Sequence, residues 1–206
     1  MKVYFHFCLP SFTNCYILGT EEGDASPGAL IIDPGCIAED IINFLEDHSY
    51  PLLATLLTHD HSGHCQGLRT LRRIYEFPVY AVNHEIGEIA TQVIHDGDIL
   101  SIGPFKVEVI SIPGHSSDSV VYKIGHFLFT GDVLSAGFTG STLSSYGQTI
   151  QLNALQSKIL SLPGDYQIFP GHGPPTTLET ERQYNIGFDR RNHAPSGRSP
   201  WLREFL

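Results

Sequence analysis

A mixed α/β fold, with sheets layered against helices, is predicted by three features of the chain. Short apolar runs of strand length recur along it, and segments with apolar residues three and four apart lie between them. Four of the strand-like runs are followed within a few residues by a side chain of metal-ligand type.

The first strands are read at residues 3–7 and 15–18, where apolar residues alternate or cluster, and at 29–32, the run Ala-Leu-Ile-Ile. A helix is expected over 38–47, with Ile41, Ile42 and Leu45 at helical spacing, and a strand follows at 53–57. Leu68, Leu71 and Ile74 place a second helix over 67–75. Next come a strand at 79–82, a helix over 85–91, and strands at 105–112, 120–124 and 127–129. Leu152, Leu155, Ile159 and Leu160 mark a helix over 150–160, before a last strand at 167–169. No repeat or low-complexity segment breaks this order, so a single domain over 1–206 is expected. The closing stretch RNHAPSGRSPWLREFL, rich in Pro, Ser and Arg, reads as an ordered extension or a frayed tail.

Composition narrows the function classes. Hydrophobic content of 41% with 17% charged residues suits a soluble globular protein. No apolar run reaches membrane-spanning length, so no membrane partner is expected. The opening MKVYFHFCLP has neither the apolar core nor the small-residue cleavage site of a signal peptide, which points to the cytoplasm. A formal net charge of −10 repels a phosphate backbone, so nucleic acid is not an expected partner and a small-molecule substrate is. Nothing in the sequence sets an oligomeric state. Cys8, Cys15, Cys36 and Cys65 form no CxxC pair and read as reduced structural thiols.

The stretch Thr58-His59-Asp60-His61-Ser62-Gly63-His64 packs three histidines and an aspartate directly after an apolar run. Further along, His115, Asp132 and His172 each follow another strand-like run, in VISIP-Gly114-His115, FLFTG-Asp132 and YQIFPG-His172. Strands ending at one sheet edge bring their loops together, so these residues can converge from more than a hundred positions apart. Imidazole is the commonest protein ligand for transition metals, and a carboxylate can bridge two of them. Gly114, Gly131 and Gly171 let the backbone turn tightly and deliver the next side chain inward. Asp33, in IIDPG at another strand end, is read as orienting a loop or ligand. Cys65 adjoins the cluster and reads first as a small hydrophobe, with ligation as the alternative. His6, His48, His84, His95, His126 and His193 have no such company and read as surface or hydrogen-bonded histidines.

With TNCYIL, IIDPG, THDHSGH, DGDIL, PGHSSDS, FTGDVL and PGHGPPTTLETER in order, the chain resembles the metallo-β-lactamase-fold hydrolases, most closely their short glyoxalase II-like branch. The resemblance covers nearly the whole chain and implies a four-layer αββα sandwich with metals at one edge of two sheets. It also implies that His59, His61 and His115 form a first metal site, that His64 and His172 belong to a second, and that Asp132 bridges them. The family's signature carries an aspartate ligand where this chain has Gly63. Loss of that anion weakens the second site, because poorly neutralised cations repel. One tightly bound zinc, with a second weak or absent, is therefore expected, and iron is the alternative metal. Asp60 could substitute for the missing carboxylate, but lying between two ligand positions it is expected to point away. Relatives often have a GRxD segment where this chain has Gly140-Ser141-Thr142-Leu143, and only 34 residues follow His172, where full-length glyoxalase II adds a helical glutathione-binding domain.

The leading expectation is a metal-dependent hydrolase of a thioester or related ester, with His59, His115 and Asp132 at the reacting centre. The metal would make hydroxide available near neutral pH and polarise the substrate carbonyl. Two alternatives stay open: a mononuclear iron persulfide dioxygenase using His59, His115 and Asp132, and a non-catalytic metal-binding scaffold.

Overall fold

The computed structural model describes residues 1–21 and 23–188. The Pro-, Ser- and Arg-rich closing stretch lies outside the described residues. In the first half, β1 (Lys2–Cys8), β2 (Thr13–Gly19) and β3 (Ala29–Ile32) lead into helix α1 (Glu39–Asp47) and β4 (Leu52–Leu56). The one-turn α2 (Ser62–Cys65) and α3 (Leu68–Ile74) follow, then β5 (Val79–Ala81), β6 (Glu85–Ile86), β7 (Ile89–Ala90) and β8 (Gln92–Val93). The second half runs through β9 (Ile99–Ile102), β10 (Phe105–Ser111), β11 (Val120–Ile124) and β12 (Phe127–Gly131) to the short β13 (Leu134–Ser135) and β14 (Phe138–Thr139). Helix α4 (Ser145–Ala154) continues as a π-helical turn over Leu155–Ile159, and β15 (Gln167–Pro170), β16 (Thr176–Thr177) and α5 (Leu178–Tyr184) complete the described chain.

Two six-stranded sheets result, in the orders β1-β2-β3-β4-β5-β8 and β16-β15-β12-β11-β10-β9. Three separate apolar clusters show how they stack. Strand faces bearing Cys15, Ile17, Ala29 and Ile31 pack on Ile41 and Leu45 of α1 and on Leu68 and Leu71 of α3. The opposite faces of the same strands, Tyr16, Leu18, Leu30, Ile32 and Leu56, meet Val107, Val109, Tyr122 and Phe129 of the second sheet. Val121, Leu128 and Ile168, on that sheet's far side, are covered by Leu155, Ile159 and Leu178. Period-two side-chain alternation thus serves both faces of each sheet, and the layers run helix, sheet, sheet, helix. The mixed α/β fold and its αββα sandwich are as the sequence implies.

The segment expected to be helical over 85–91 is instead a hairpin of β6 and β7, with Ile86 opposite Ile89. Gly87 and Glu88 both take positive φ, +52° and +69°, as a two-residue turn joining right-twisted strands requires. A spacing of three between isoleucines is shared by a helix face and by the two sides of such a turn, which is why the pattern misled. Among the described residues no helix is long and apolar enough to cross a membrane.

The two sheets are also tied by polar contacts where β4 runs out. The hydroxyl of Tyr122, a fully buried side chain, donates to the Leu57 carbonyl at 2.7 Å, and Val120 N donates to the Thr58 carbonyl at 2.9 Å. Replacing Tyr122 by Phe removes the donor while keeping the ring. A loss of about 1–3 kcal/mol is expected, the cost of stranding a buried carbonyl, read as a lower urea midpoint with unchanged metal content.

Candidate metal centre

The six sequence-predicted residues meet at one edge of the sandwich. His59 stands two residues beyond Leu57, whose backbone N donates to the Tyr80 carbonyl at 3.0 Å, so the end of β4 is fixed against its neighbour. His61 caps α2, and the single turn of that helix returns His64 toward His59, with ring centroids 4.3 Å apart. His115 follows β10, Asp132 directly follows β12, and His172 follows β15. Gly131 has φ of +48°, which turns the chain so that Asp132 faces the histidines. Gly171 has no unusual φ. It is needed for space, since a Cβ there would lie 2.3 Å from Asp132 Oδ1 and 2.6 Å from His64 Cε1.

Two overlapping donor groups form, His59 with His61, His115 and Asp132, and His64 with Asp132 and His172. In the first, His61 Nδ1 lies 3.0 Å from His59 Nε2 and 3.0 Å from His115 Nε2. Asp132 Oδ2 lies 3.8 Å from His59 Nε2 and 3.6 Å from His115 Nε2. Nitrogens about 2.0–2.1 Å from a tetrahedral zinc stand about 3.3 Å apart, so these separations fit a single ion. In the second group, Asp132 contacts His64 Nε2 at 3.3 Å and His172 Nε2 at 3.4 Å.

The outer nitrogens of the rings fix which inner atoms carry lone pairs. His115 Nδ1 faces the Ser141 carbonyl at 2.8 Å and His172 Nδ1 faces the Phe12 carbonyl at 2.7 Å. A carbonyl only accepts, so both Nδ1 atoms donate. Thr58 Oγ1 gives its one hydrogen to Asp33 Oδ2 at 2.6 Å and therefore accepts from His59 Nδ1 at 3.0 Å. Asp33 Oδ2 also accepts from His64 Nδ1 at 3.0 Å. In the neutral rings the Nε2 atoms of His59, His64, His115 and His172 are then lone pairs aimed inward, the state a metal ligand needs. His64 Nε2 and Asp132 Oδ1 are buried, and neither makes an aligned hydrogen bond. The two atoms face each other at 3.3 Å and mark a place for a cation, the proton of an ionised His64 or a metal ion in its stead.

The field in the pocket favours positive charge at that point. Burial works against an ionised His64, yet the carboxylates of Asp33 and Asp132 outweigh it and raise its pKa to about 10. Burial likewise opposes the Asp132 carboxylate, but His172 and His64 hold its pKa well below the usual range. His59 behaves oppositely: burial, helped by the neighbouring His64 charge, pushes it down to about 4, so its ring stays neutral.

Position 63 is closed off differently from a ligand position. A Cβ on Gly63 would lie 3.1 Å from Thr13 Cγ2 and 3.3 Å from Ser11 Cβ, and the Gly63 carbonyl accepts from Thr13 Oγ1 at 2.7 Å. Asp60 points away, as the sequence suggests: its Oδ2 accepts from Asn83 Nδ2 at 2.6 Å. Cys65 belongs to neither donor group. Burial, with Asp60 beside it, raises its thiol to about 11. Asp118, within PGHSSDS, supports the cluster without any sequence pattern that marks it. Its Oδ2 accepts from Asp60 N at 2.9 Å and so holds the backbone between His59 and His61.

An open cleft of about 200 Å³ lies over the centre, walled by His115, Asp132 and His172 and by Ser135, Thr139, Gly140 and Ser141. Asp33 never reaches this cleft. Its replacement by Asn is compatible with its φ of +51° but removes the charge shared by Thr58 and His64. A 10- to 100-fold weaker metal affinity is expected, about the usual effect of losing such a support, with the fold intact by circular dichroism. Competition with a chelator measures it, and an unchanged affinity contradicts the role given to Asp33.

A family model for the Metallo-beta-lactamase superfamily matches residues 9–172. The chain is 32% identical over 200 residues to "Probable metallo-hydrolase YqgX" of Bacillus subtilis (strain 168), covering 85% of this chain and 92% of that one. It is 32% identical over 169 residues to the hydroxyacylglutathione hydrolase of Marinomonas sp. (strain MWYL1), covering 81% of this chain but only 64% of that relative's length. The crystal structure of the BLEG-1 B3 metallo-beta-lactamase superposes with a TM-score of 0.81 at 31% identity, over 90% of this chain and 98% of that one. By fold, by sequence and by its edge-on cluster of histidines, the chain belongs to the metallo-beta-lactamase superfamily.

Proposed function

We propose that the protein is a metal-dependent hydrolase of thioesters or related esters of small molecules. The reading rests on one observation: four imidazoles with their outer nitrogens anchored converge with His61 on a shared carboxylate, beneath an open cleft that His115, Asp132 and His172 line. His59, His61, His115 and Asp132 would hold the first ion, and His64, Asp132 and His172 the second. A divalent cation held there supplies Lewis acidity, which acidifies water toward neutral pH and polarises a carbonyl. The chain's own part is placement. Asp132 offers Oδ2 to the first group and Oδ1 to His64, so one carboxylate sets the distance between the two halves of the centre. Ser141 orients His115 through its backbone carbonyl, and its neighbours Ser135, Thr139 and Gly140 leave room for a small polar substrate. A hydroxyacylglutathione hydrolase among the relatives supports a thioester substrate class.

Zinc is the proposed ion, bound tightly at the first group and weakly at the second. Two divalent cations bring four positive charges, and Asp132 is the one carboxylate in the two donor groups. Gly63 supplies none.

Purified, metal-loaded protein is expected to hydrolyse acylated glutathione thioesters faster than oxygen esters, lactones, phosphodiesters or a β-lactam, and to lose that activity on chelation. Activity on thioesters no better than on the rest of the panel, or full activity in the chelated protein, would sink the assignment. Elemental analysis tests the charge argument separately. Gly63→Asp is expected to raise metal content toward two equivalents, and pairing it with Thr13→Ser relieves the 3.1 Å contact at Thr13 Cγ2. An unchanged metal content in the well-folded double variant refutes the argument.

A further inference from the structure

A second cluster of ligand-type side chains lies apart from the centre described above. On β1, side chains alternate between faces, and Tyr4, His6 and Cys8 share the one turned toward α1, where Tyr4 meets Phe44 with ring centroids 4.0 Å apart. The loop after β3, Asp33 to Cys36, returns to the same place. One donor atom each from His6, Cys8 and Cys36 lies within 4.8 Å of the other two.

The orientation of each group has a physical cause. His6 Nδ1 contacts Asp40 Oδ2 at 2.9 Å, and since a carboxylate only accepts, Nδ1 carries the hydrogen. The other nitrogen, Nε2, then presents its lone pair to Cys36 Sγ at 3.7 Å. A carboxylate behind an imidazole, with the far nitrogen aimed at a ligand position, is the arrangement that fixes histidines on zinc. Cys36 N donates to Cys8 Sγ at 3.1 Å, a contact that supports negative charge on sulfur. A nitrogen and a sulfur on one tetrahedral zinc, at about 2.0–2.1 and 2.3 Å, stand about 3.5 Å apart, close to the observed 3.7 Å. The His6 side chain is 16% exposed and Cys36 is half-buried, so water can reach a fourth position.

We propose that His6, Cys8 and Cys36, with Asp40 orienting His6, form a thiolate site for a thiophilic d10 cation, Zn2+ or Cu(I), distinct from the histidine and aspartate centre. Two sulfurs and one imidazole are a soft donor set, which selects such ions over calcium, magnesium or manganese. Burial raises the Cys8 thiol to about 12, so it becomes a ligand by giving its proton to solvent as the cation arrives. The bound ion would clip the edge strand β1 to the loop that carries Asp33. That loop also supports the first centre, because a Cβ on Gly35 would lie 1.9 Å from the Gly63 carbonyl, so the two backbones are in direct contact.

Cobalt substitution separates the two sites. The donors of the first centre are nitrogen and oxygen, so a thiolate-to-cobalt charge-transfer band in the near ultraviolet reports the new site alone. Reduced protein loaded with Co2+ is expected to show this band, and added Zn2+ or Cu(I) is expected to bleach it, each titration giving that ion's affinity. Cys36→Ser, or His6→Gln should that variant not fold, is expected to weaken or abolish the band and remove one metal equivalent while hydrolysis stays within about twofold. Asp40→Asn is expected to weaken Co2+ binding about 10- to 100-fold while keeping the band at saturation, and Cys65→Ser to leave it unchanged. The proposal is overturned if folded, reduced protein shows no band, if Cys65→Ser removes it, or if freshly isolated protein holds a Cys8–Cys36 disulfide and no added metal binds after reduction. None of the overturning outcomes depends on hydrolase activity.

Discussion

The carboxylate of Asp33 is the contact on which the rest of the centre depends. It ends β3 in a left-handed conformation, nearly sealed from water, and receives hydrogen bonds from Thr58 N at 2.8 Å, Thr58 Oγ1 at 2.6 Å and His64 Nδ1 at 3.0 Å. One oxygen fixes the strand end that carries His59. The other reaches both a ligand-type ring and the hydroxyl that sets the tautomer of the next ring. A buried negative charge is costly unless fully bonded, and here each bond it accepts also orients part of the centre.

Around that point the sandwich uses its strand ends in a consistent way. The four segments that bear the cluster leave β4, β10, β12 and β15 at one edge, and short backbone contacts such as Gly171 N to the Gly131 carbonyl at 2.7 Å pin them to each other. Left-handed or side-chain-free positions stand where two of these segments turn or nearly touch, at Gly131 and Gly171. The apolar layers supply the rigidity, and the edge supplies the chemistry.

Much of this was legible in the sequence because side-chain identity and strand periodicity carry it. The convergence of His59, His61, His64, His115, Asp132 and His172 is legible from their types and from the apolar runs before them, and the placing of Asp33 beside them from its position in IIDPG. What holds His115 and His172 could not be read, since the carbonyls of Ser141 and Phe12 are features every residue has. The hairpin at Glu85–Ala90 was hidden by an isoleucine spacing that two folds share. His6 read as a solitary histidine because its companions Cys8 and Cys36 are brought to it by strand pairing and a returning loop, and a separation of 28 residues between the two sulfurs has no motif.

The inward-facing donors lie in four segments spread from residue 59 to residue 172, all on one small volume. In the unfolded chain those groups are far apart and would bind an ion poorly, so uptake of an ion at this edge would be linked to closure of the chain. With an ion held there, the resistance of the chain to unfolding would depend on free metal activity in its surroundings. Scarcity of the ion would shorten the life of the folded chain as well as silence its chemistry.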